Sequence, residues 1–277
     1  MINIASITDD NFTEVLLTFY VSILENNAKE SFHFYILGDN LNRKNRNNIT
    51  KLNKNYNNCQ KITFLKNNFS QYYKHANSKN KRTPETENTY YRIEIPSLVP
   101  VSRLLFLDCD MICEGKLASL WETNLDGKIL GAVESHLFEK RLGDLGVYHK
   151  TEKCMNAGLL LIDVKKWKLF HITSKIRNFV LQHPSLLKYQ DQDALNAVLT
   201  GNWKILNPKY NVQSPLVVEG RINPDAQQRK LDLKALKFPI IIHYTSQNKP
   251  WNNIQRHPWR KEYYKYNHLM KNKLSLN

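Results

Sequence analysis

The feature that most restricts how this chain can fold is a short apolar run, Leu104–Leu107, which stops abruptly at Asp108-Cys109-Asp110. A strand that is apolar at every position has both faces buried, as in a parallel sheet covered by helices on each side. Ligands of open α/β sheets bind just beyond the carboxyl ends of such strands. The run therefore predicts an α/β fold, and it places two carboxylates where a ligand would bind.

Strands and helices are predicted to alternate along the chain. The sequence predicts strands over Ile2–Ile7, Ser31–Leu37, Lys61–Leu65, Arg103–Leu107, Ile129–Val133, Ala157–Ile162 and Phe238–Tyr244. It predicts helices from a cap at Asp10 or Asn11 to about Asn26, then over Asn42–Asn55, Lys165–Leu181, Asp191–Leu199 and Pro258–Met270. Thr89–Val99 is predicted to be a helix or a helix pair, interrupted at Pro96. This alternation indicates βαβ units and a mainly parallel central sheet flanked by helices. The polar stretch His75–Glu87 is interpreted as a surface loop, and the C-terminal third is expected to be more irregular.

The composition fits one folded globular unit. The chain has 277 residues, 42% hydrophobic and 23% charged, which excludes a disordered chain. We expect a single domain over residues 1–255, followed by a basic, aromatic helix and tail over residues 256–277. The longest apolar runs are too short to cross a bilayer. The N-terminus meets Asp9-Asp10 too soon for a signal peptide, and four cysteines suit free thiols, so we expect a cytoplasmic protein.

The positive charge is concentrated in two blocks. The formal net charge is +15, and residues 40–84 contain eleven Lys or Arg and no Asp or Glu. Residues 249–273 contain seven basic residues and one acidic residue. Such blocks suit a membrane surface, a nucleic acid or a phosphorylated substrate, although lysines on a solvated surface give the same pattern. Because no nucleic-acid recognition motif accompanies them, no nucleic-acid partner is expected, and a basic nucleic-acid-binding protein stays an alternative.

Two apolar runs end in residues that can bind a metal ion. Asp108 and Asp110 lie two residues apart in extended chain, so both carboxylates can point to the same side, where they repel unless a cation separates them. A second run, Phe238–Ile242, ends at His243. A lone histidine at a strand end is more often structural, but two Asp and one His together suit Mn²⁺ or Mg²⁺ better than Zn²⁺.

Three further polar segments are candidates for a binding site. Lys249 follows His243 in a turn-prone loop that can bind an anion through backbone N–H groups and the lysine charge. The small residues of Asn156-Ala157-Gly158 allow a ligand to approach the backbone, or simply form a tight strand entry. In Gln190–Asp193, the residues alone favour helix-cap or first-turn roles for Asp191 and Asp193.

Taken together, these segments resemble a known family. The matching segments, in the order of the family, are Asp9-Asp10-Asn11-Phe12; Tyr91-Arg92 with Pro96 and Pro100; Leu105–Asp110; Asn156–Asp163 with Lys166-Trp167; Gln190–Asp193 with Leu195-Asn196; and His243-Tyr244 with Lys249-Pro250-Trp251. From Ile2 to about Trp259 the chain is similar to glycosyltransferase family 8, and specifically resembles bacterial lipopolysaccharide α-galactosyltransferases. The resemblance implies a GT-A type nucleotide-sugar-binding fold and a retaining, Mn²⁺-dependent transfer of a hexose from a UDP-sugar.

The resemblance also assigns roles to residues. It implies that Asp108, Asp110 and His243 hold Mn²⁺, or Mg²⁺, against the diphosphate of UDP-galactose or UDP-glucose. It implies a wider donor-binding set: Thr8, Asp9 and Asn11 at the uridine, Arg92 at the sugar or diphosphate, Asn156, Asp191 and Gln192 around the sugar, and Lys249 at the phosphates, with Cys109 and Ser246 beside them. Gln192 and Asp191 are the expected catalytic residues, acting as polar stabilisers while the acceptor attacks from the face that UDP leaves.

Several features depart from the family pattern or are left open by it. Glu134 follows Gly131-Ala132-Val133 where the family often has Asp, so sugar selectivity is open, and Ser246 stands where glycine is usual. The expected acceptor is a glycan, a lipid-linked sugar or a glycoprotein. The alternative is a catalytically inactive family member that serves as a scaffold. The basic, aromatic segment 256–273 predicts peripheral contact with an anionic membrane at its inner face, unless its aromatic rings pack on the domain.

Overall fold

The computed structural model describes residues 1–38, 41–73, 87–137, 140–150, 153–245, 249–252 and 257–276. Most of the predicted loop His75–Glu87 lies outside these residues, and so do Ser246 and Arg256.

A seven-stranded mixed sheet forms the centre of the protein. In chain order, the ten strands of the described residues are β1 (Ile2–Thr8), β2 (Phe32–Gly38), β3 (Cys59–Leu65), β4 (Arg103–Leu107), β5 (Met111–Cys113), β6 (Leu130–Glu134), β7 (Met155–Asp163), β8 (Trp203–Ile205), β9 (Val212–Gln213) and β10 (Ile241–His243). The central sheet has the order β3-β2-β1-β4-β7-β6-β8. Its strands pair in parallel except for β7, which runs antiparallel to both β4 and β6. The predicted strands of this sheet are confirmed, with ends that differ by one or two residues.

A second, three-stranded sheet has the order β5-β10-β9. It contains the predicted strand Phe238–Tyr244, shortened to β10, which pairs antiparallel with β5 and parallel with β9. Neither neighbour was predicted, because β5 and β9 have only three and two residues and carry no alternating pattern of their own.

Helices cover both faces of the central sheet, and each face has its own apolar cluster. The α-helices are α1 (Thr13–Asn26), α2 (Arg43–Asn55), α3 (Ser70–Tyr73), α4 (Ile95–Leu98), α5 (Ala118–Trp121), α6 (Arg141–Asp144), α7 (Val164–Leu169), α8 (Ile172–Gln182), α9 (Gln190–Leu199), α10 (Ser214–Val218), α11 (Ala226–Lys237) and α12 (Arg260–Leu274). Among the residues that the structure describes, two 3₁₀-helices span Glu87–Ile93 and Pro208–Tyr210. Every residue of β2 is buried, as expected of a strand covered on both faces.

Three helix predictions need correction. The predicted helix Lys165–Leu181 is two helices, because the chain turns between α7 and α8 at His171, whose φ is +52°. Neither Asp10 nor Asn11 caps α1, which begins after Phe12 without a side-chain cap. Of the two alternatives for Thr89–Val99, the structure has the helix pair, formed by the 3₁₀-helix Glu87–Ile93 and α4, but the break precedes Pro96, which lies in the first turn of α4, where proline needs no N–H partner.

The C-terminal helix α12 packs against α1, near the start of the chain. Its Asn267 donates hydrogen bonds to the side chains of Glu14 and Thr18 of α1, at 2.9 and 3.1 Å. Tyr263 and Tyr266 are buried, so these rings belong to the core of the protein rather than to its surface. None of the helices in the described part of the chain combines the length and hydrophobicity needed to cross a bilayer.

Candidate active site

The end of β4 and the start of β7 lie side by side because these two strands run in opposite directions. Leu107, the last residue of β4, pairs with Leu159, and the backbone N–H of Asp108 donates to the carbonyl of Gly158 at 2.9 Å. The carboxylates that follow β4 and the small residues that open β7 therefore share one edge of the sheet. This is the edge at which ligands of α/β sheets bind.

The second sheet brings His243 to the same edge. His243 pairs with Met111 in the antiparallel ladder of β10 and β5, and the N–H of Tyr244 donates to the carbonyl of Asp110 at 3.0 Å. Since Asp110 directly precedes β5, strand pairing fixes the histidine next to the carboxylate. Two segments more than 130 residues apart in sequence thus contribute to one site.

The three predicted metal ligands converge. His243 Nε2 lies 3.2 Å from Asp110 Oδ1 and 3.7 Å from Asp108 Oδ2. One ligand atom from each of the three side chains lies within 4.8 Å of the other two. Two carboxylate oxygens and one imidazole nitrogen at this spacing fit a divalent cation, and they leave coordination positions for further oxygen ligands.

Gly158 makes room for this cluster. A Cβ atom placed on Gly158 would lie 2.2 Å from His243 Cε1 and 2.8 Å from Asp108 Oδ2, far inside contact distance. The His243 ring is buried and cannot swing away. Only glycine at this position therefore allows the histidine and the carboxylate to approach each other over β7.

Positively charged side chains flank both carboxylates. Arg92 Nη2 lies 3.1 Å from Asp108 Oδ1, and the Lys249 ammonium contacts the Asp110 carboxylate. Burial alone would raise the pKa of the Asp110 carboxyl, but Lys249 and His243 outweigh it and hold this pKa well below its usual range. Asp110 is therefore ionised at neutral pH, as a metal ligand must be.

Arg92 also reaches the first turn of α9. Its Nε lies 2.8 Å from Asp191 Oδ2, and its Nη1 donates to the carbonyl of Ala157 at 2.7 Å. Its side chain is only 10% exposed. The neighbouring Asp193 lies in the same turn but pairs at 2.6 Å with Arg141, on the other side of the helix start. Asp191 thus belongs to the edge that carries Asp108, whereas Asp193 anchors α6.

Gln192 faces the start of β7 with its amide oxygen. Gln192 Oε1 accepts hydrogen bonds from the Asn156 Nδ2 amide at 3.3 Å and from the backbone N–H of Ala157 at 3.2 Å. Next to Gln192 lies a cavity of about 230 Å³, whose lining includes Glu134, Arg141, Lys153 and Asn223. The cavity walls combine both charge signs and polar amides, which suits a hydroxyl-rich ligand.

One residue of this edge was missed by the sequence analysis. Asn211 is fully buried between two predicted site residues: its Nδ2 donates to Asn156 Oδ1 at 2.8 Å, and its Oδ1 lies 2.9 Å from His243 Nδ1. It follows a single 3₁₀ turn and carries no charge or motif, so no sequence signal pointed to it.

The residues predicted to bind uridine lie at the end of β1, which neighbours β4 in the sheet. Thr8 is buried, Asn11 is exposed, and Asp9 Oδ1 accepts the N–H of Phe12 at 2.9 Å. Cys109 lies between the two metal-site carboxylates, and burial raises the pKa of its thiol well above the usual value, so it is a neutral thiol. The remaining predicted residue, Ser246, lies outside the described residues.

Comparison with known proteins decides the family. The profile of a family described as Glycosyl transferase family 8 matches residues 3–255, most of the chain and all the site residues named above. The chain belongs to glycosyltransferase family 8. The family resemblance found in six sequence segments is thereby confirmed, and the enzyme is a glycosyltransferase.

Individual relatives agree with this assignment. General stress protein A of Bacillus subtilis (strain 168) is 30% identical over 96% of this chain and 93% of its own length. Lipopolysaccharide 1,2-glucosyltransferase of Escherichia coli (strain K12) is 28% identical over 95% of this chain and 76% of its own length. The structure of the galactosyltransferase LgtC, in complex with donor and acceptor sugar analogs, matches with a TM-score of 0.83 at 23% identity, covering 97% of this chain and 96% of that one. The predicted GT-A type α/β fold is confirmed by this likeness.

The close approach at Gly158 gives a testable prediction for this family 8 enzyme. We expect Gly158→Ala to lower Mn²⁺ affinity by at least about tenfold, because the added methyl group pushes His243 and Asp108 apart. Isothermal titration of Mn²⁺ in the presence of UDP measures the affinity. The control is Gly143→Ala, where a Cβ meets no atom within 4 Å and should change nothing. Equal affinities for wild type and Gly158→Ala would show that the three side chains are not the ligands.

Proposed function

We propose that this enzyme is a retaining hexosyltransferase that moves galactose or glucose from a UDP-sugar to a glycan, lipid-linked or glycoprotein acceptor. The observation that carries the proposal is the convergence of Asp108, Asp110 and His243 over Gly158, at the ligand-binding edge of a family 8 glycosyltransferase. Asp108, Asp110 and His243 would hold Mn²⁺, or Mg²⁺ in its place. The bound ion would neutralise the negative charge that develops on the leaving diphosphate.

The two cationic side chains of the site have different roles in this proposal. Lys249 follows β10 and bears its ammonium against Asp110, so it is placed to add a point charge to the phosphates that the ion binds. Arg92 is almost enclosed, because its guanidinium already bridges Asp108, Asp191 and the carbonyl of Ala157. Its main contribution is therefore to hold these carboxylates in place. We assign Arg92 a smaller part in binding the donor than the family resemblance implies.

The uridine would bind at the end of β1. Thr8, Asp9 and Asn11 lie there, beside the end of β4 that carries the proposed metal site. Asp10, the fourth residue of this turn, accepts hydrogen bonds from the N–H of Asn42 and from the Asn45 amide instead. We assign Asp9 and Asn11 to the nucleotide and Asp10 to the connection between β1 and α2.

The sugar would lie between Asn156, Asp191 and Gln192. The contacts of Gln192 bear on how the configuration of the sugar is retained. Its amide oxygen accepts two hydrogen bonds from β7, so this oxygen is a poor candidate for covalent attack on the sugar. This supports same-face attack by the acceptor, with Gln192 and Asp191 stabilising the oxocarbenium-like sugar.

The cavity beside Gln192 is the proposed acceptor site. The family includes relatives that act on lipopolysaccharide, such as the glucosyltransferase of Escherichia coli, and the LgtC structure contains an acceptor sugar analog. Glu134 is held there by Asn223 Nδ2 at 3.0 Å and Lys153 at 3.4 Å, so the residue that departs from the family pattern is a fixed part of the cavity wall. A screen of UDP-sugar hydrolysis, with and without Mn²⁺, identifies the donor before any acceptor is known.

Peripheral attachment of this proposed cytoplasmic enzyme to the inner membrane face would rest on basic side chains and on the two partly exposed aromatic residues Trp259 and Tyr264. Tyr263 and Tyr266 are buried, and they cannot serve as interfacial anchors.

The ends of α2 and α12 meet where Lys51 Nζ donates to the carbonyl of Ser275 at 3.4 Å. Lys54 and Lys273 are exposed in the last turns of these two helices, and Lys273 Nζ lies 6.0 Å from the ring of Tyr56, which ends α2. We call Lys51, Lys54 and Lys273 the lysine cluster, and each would gain about 1 kcal/mol near an anionic surface.

The metal site is tested by removing one ligand at a time. Asp108→Asn and Asp110→Asn should each reduce Mn²⁺-dependent transfer to less than about a tenth of the wild-type rate, which corresponds to about 1.4 kcal/mol of lost transition-state stabilisation. EDTA should abolish the wild-type reaction. Asp126→Asn, which alters an exposed carboxylate paired with Lys204, is the control and should transfer normally. Transfer that is insensitive to EDTA in every variant would end the metal hypothesis, whereas absence of transfer by the wild type with every UDP-sugar would favour the inactive scaffold.

Substitution of Gln192 distinguishes a role in the rate of transfer from a role in binding the donor. We expect Gln192→Ala to lower kcat far more than it raises KM for the UDP-sugar, because the amide acts mainly on the charge of the transition state. Steady-state kinetics over a range of donor concentrations make the distinction. Gln182→Ala, on the exposed end of α8, serves as the matched control. An increase in KM with unchanged kcat would make Gln192 a contact of the ground-state sugar.

The lysine cluster is tested with vesicles. Wild-type protein should co-sediment with vesicles containing anionic phospholipid at low salt and dissociate as salt is added, because screening weakens charge attraction. Lys54→Glu combined with Lys273→Glu should abolish binding. Lys234→Glu combined with Lys237→Glu, the same change in charge on α11, should not. If both double variants bind equally, or if binding does not depend on salt, the membrane proposal fails.

A further inference from the structure

Four side chains form a continuous row of hydrogen bonds across the proposed active site. Starting from the metal site, His243 contacts Asn211, Asn211 contacts Asn156, and Asn156 contacts Gln192. The separations are 2.9, 2.8 and 3.3 Å. The row therefore joins a proposed metal ligand to the residue proposed to stabilise the sugar, and Asn211 is the member that neither motif nor family resemblance identified.

The direction of each hydrogen bond in this row is fixed by the backbone. Side-chain amides can be rotated end for end without changing their shape, but a backbone N–H can only donate. The N–H of Ala157 points to Gln192 and the N–H of Gly158 points to Asn156, at 3.2 and 3.1 Å. The atoms that receive these two hydrogens must be oxygens, which sets the orientation of both side-chain amides.

The orientation of the Asn156 amide determines the orientation of the Asn211 amide. Because Asn156 presents its oxygen, Asn211 must present its NH₂ group to it, and this leaves the Asn211 oxygen facing His243 Nδ1. An amide oxygen only accepts hydrogen bonds, so Nδ1 of the imidazole carries the hydrogen. In the neutral ring the other nitrogen, Nε2, then has a free lone pair, and Nε2 is the atom that faces Asp110 and Asp108.

We infer that Asn211 is a positioning residue that holds His243 in the tautomer and orientation needed to bind the metal ion, and that couples this histidine through Asn156 to Gln192. This inference rests on the proposed metal site. Histidine ligands generally owe their orientation to the partner of the second ring nitrogen, and loss of such a partner typically costs about 10- to 100-fold in metal affinity. The local fold supports the role, because β9 begins directly after Asn211 and pairs with β10 beside His243.

Two substitutions of Asn211 distinguish its effect on the orientation of His243 from its effect on Asn156 and Gln192. Asn211→Ala removes the acceptor of the His243 hydrogen, so Mn²⁺ affinity, measured by titration in the presence of UDP, should fall by at least about tenfold. Asn211→Asp keeps an oxygen for His243 but places a second oxygen against Asn156. It should retain Mn²⁺ affinity within about threefold of wild type and still lose transfer rate, since the contact that orients Asn156 and Gln192 is lost.

A control and a direct readout exclude a general loss of stability. Asn267→Ala removes an equally buried amide between α12 and α1, and it should leave Mn²⁺ affinity unchanged. Long-range ¹H–¹⁵N spectra of metal-free, histidine-labelled protein at alkaline pH report which ring nitrogen carries the hydrogen, and His243→Gln identifies the signal. We expect hydrogen on Nδ1 in wild type and a shift toward Nε2 in Asn211→Ala.

The outcomes separate this inference from the proposed function. Hydrogen on Nε2 in the wild-type His243 would overturn the inference, as would an Asn211→Ala variant that binds Mn²⁺ like wild type. So would an Asn211→Asp variant that loses Mn²⁺ as completely as Asn211→Ala. Absence of Mn²⁺ binding by wild type would instead refute the proposed metal site, while the spectra would still decide whether Asn211 sets the tautomer.

Discussion

The antiparallel pairing of β4 with β7 is the constraint on which the rest of the site depends. In a purely parallel sheet, the start of β7 would lie at the opposite edge from the end of β4. Reversal of β7 instead brings Asn156 and Gly158 next to Asp108, with a backbone hydrogen bond between Asp108 and Gly158. The cluster of His243, Asp108 and Asp110, which is the proposed metal site, requires that residue 158 has no side chain, because His243 and Asp108 occupy the space that a Cβ of Gly158 would fill.

Charge balance is the second requirement of this arrangement. Two carboxylates placed this close to each other would repel or lose their charge without compensation. Arg92, which precedes β4, supplies it at Asp108, and Lys249, which follows β10 in the chain, supplies it at Asp110. The lysine also lowers the pKa of Asp110 against the effect of burial. The site is thus assembled from groups that stabilise each other's ionised forms, which explains how the carboxylates are kept at an edge with little solvent.

The sequence predicted those parts of the structure that are encoded locally. Asp108 and Asp110 were found because a wholly apolar strand ends immediately before them, and His243 was found for the same reason. The break at His171 was missed, since the apolar spacing continues across it and the turn depends on a single left-handed residue. Arg92 and Asp191 were predicted as site residues from the family resemblance. Their contact with each other depends on how α9 packs against the 3₁₀-helix that contains Arg92, and no local sequence pattern predicts this packing. The division at residue 255 and the roles of the individual site residues stay predictions.

The row of amides also gives a physical reason for a neutral residue at position 192. The proposed metal and sugar sites already contain the carboxylates of Asp108, Asp110 and Asp191, of which Asp108 and Asp191 share Arg92 as their counterion. A glutamate at position 192 could accept the same two hydrogen bonds from β7, but it would add a fourth negative charge without a cation of its own. An amide oxygen accepts those hydrogen bonds without adding a negative charge, and the amide nitrogen can still donate a hydrogen bond. Because each hydrogen bond of the row from His243 to Gln192 joins a donor to an acceptor, the proposed metal site and the proposed sugar site are linked by direct contacts.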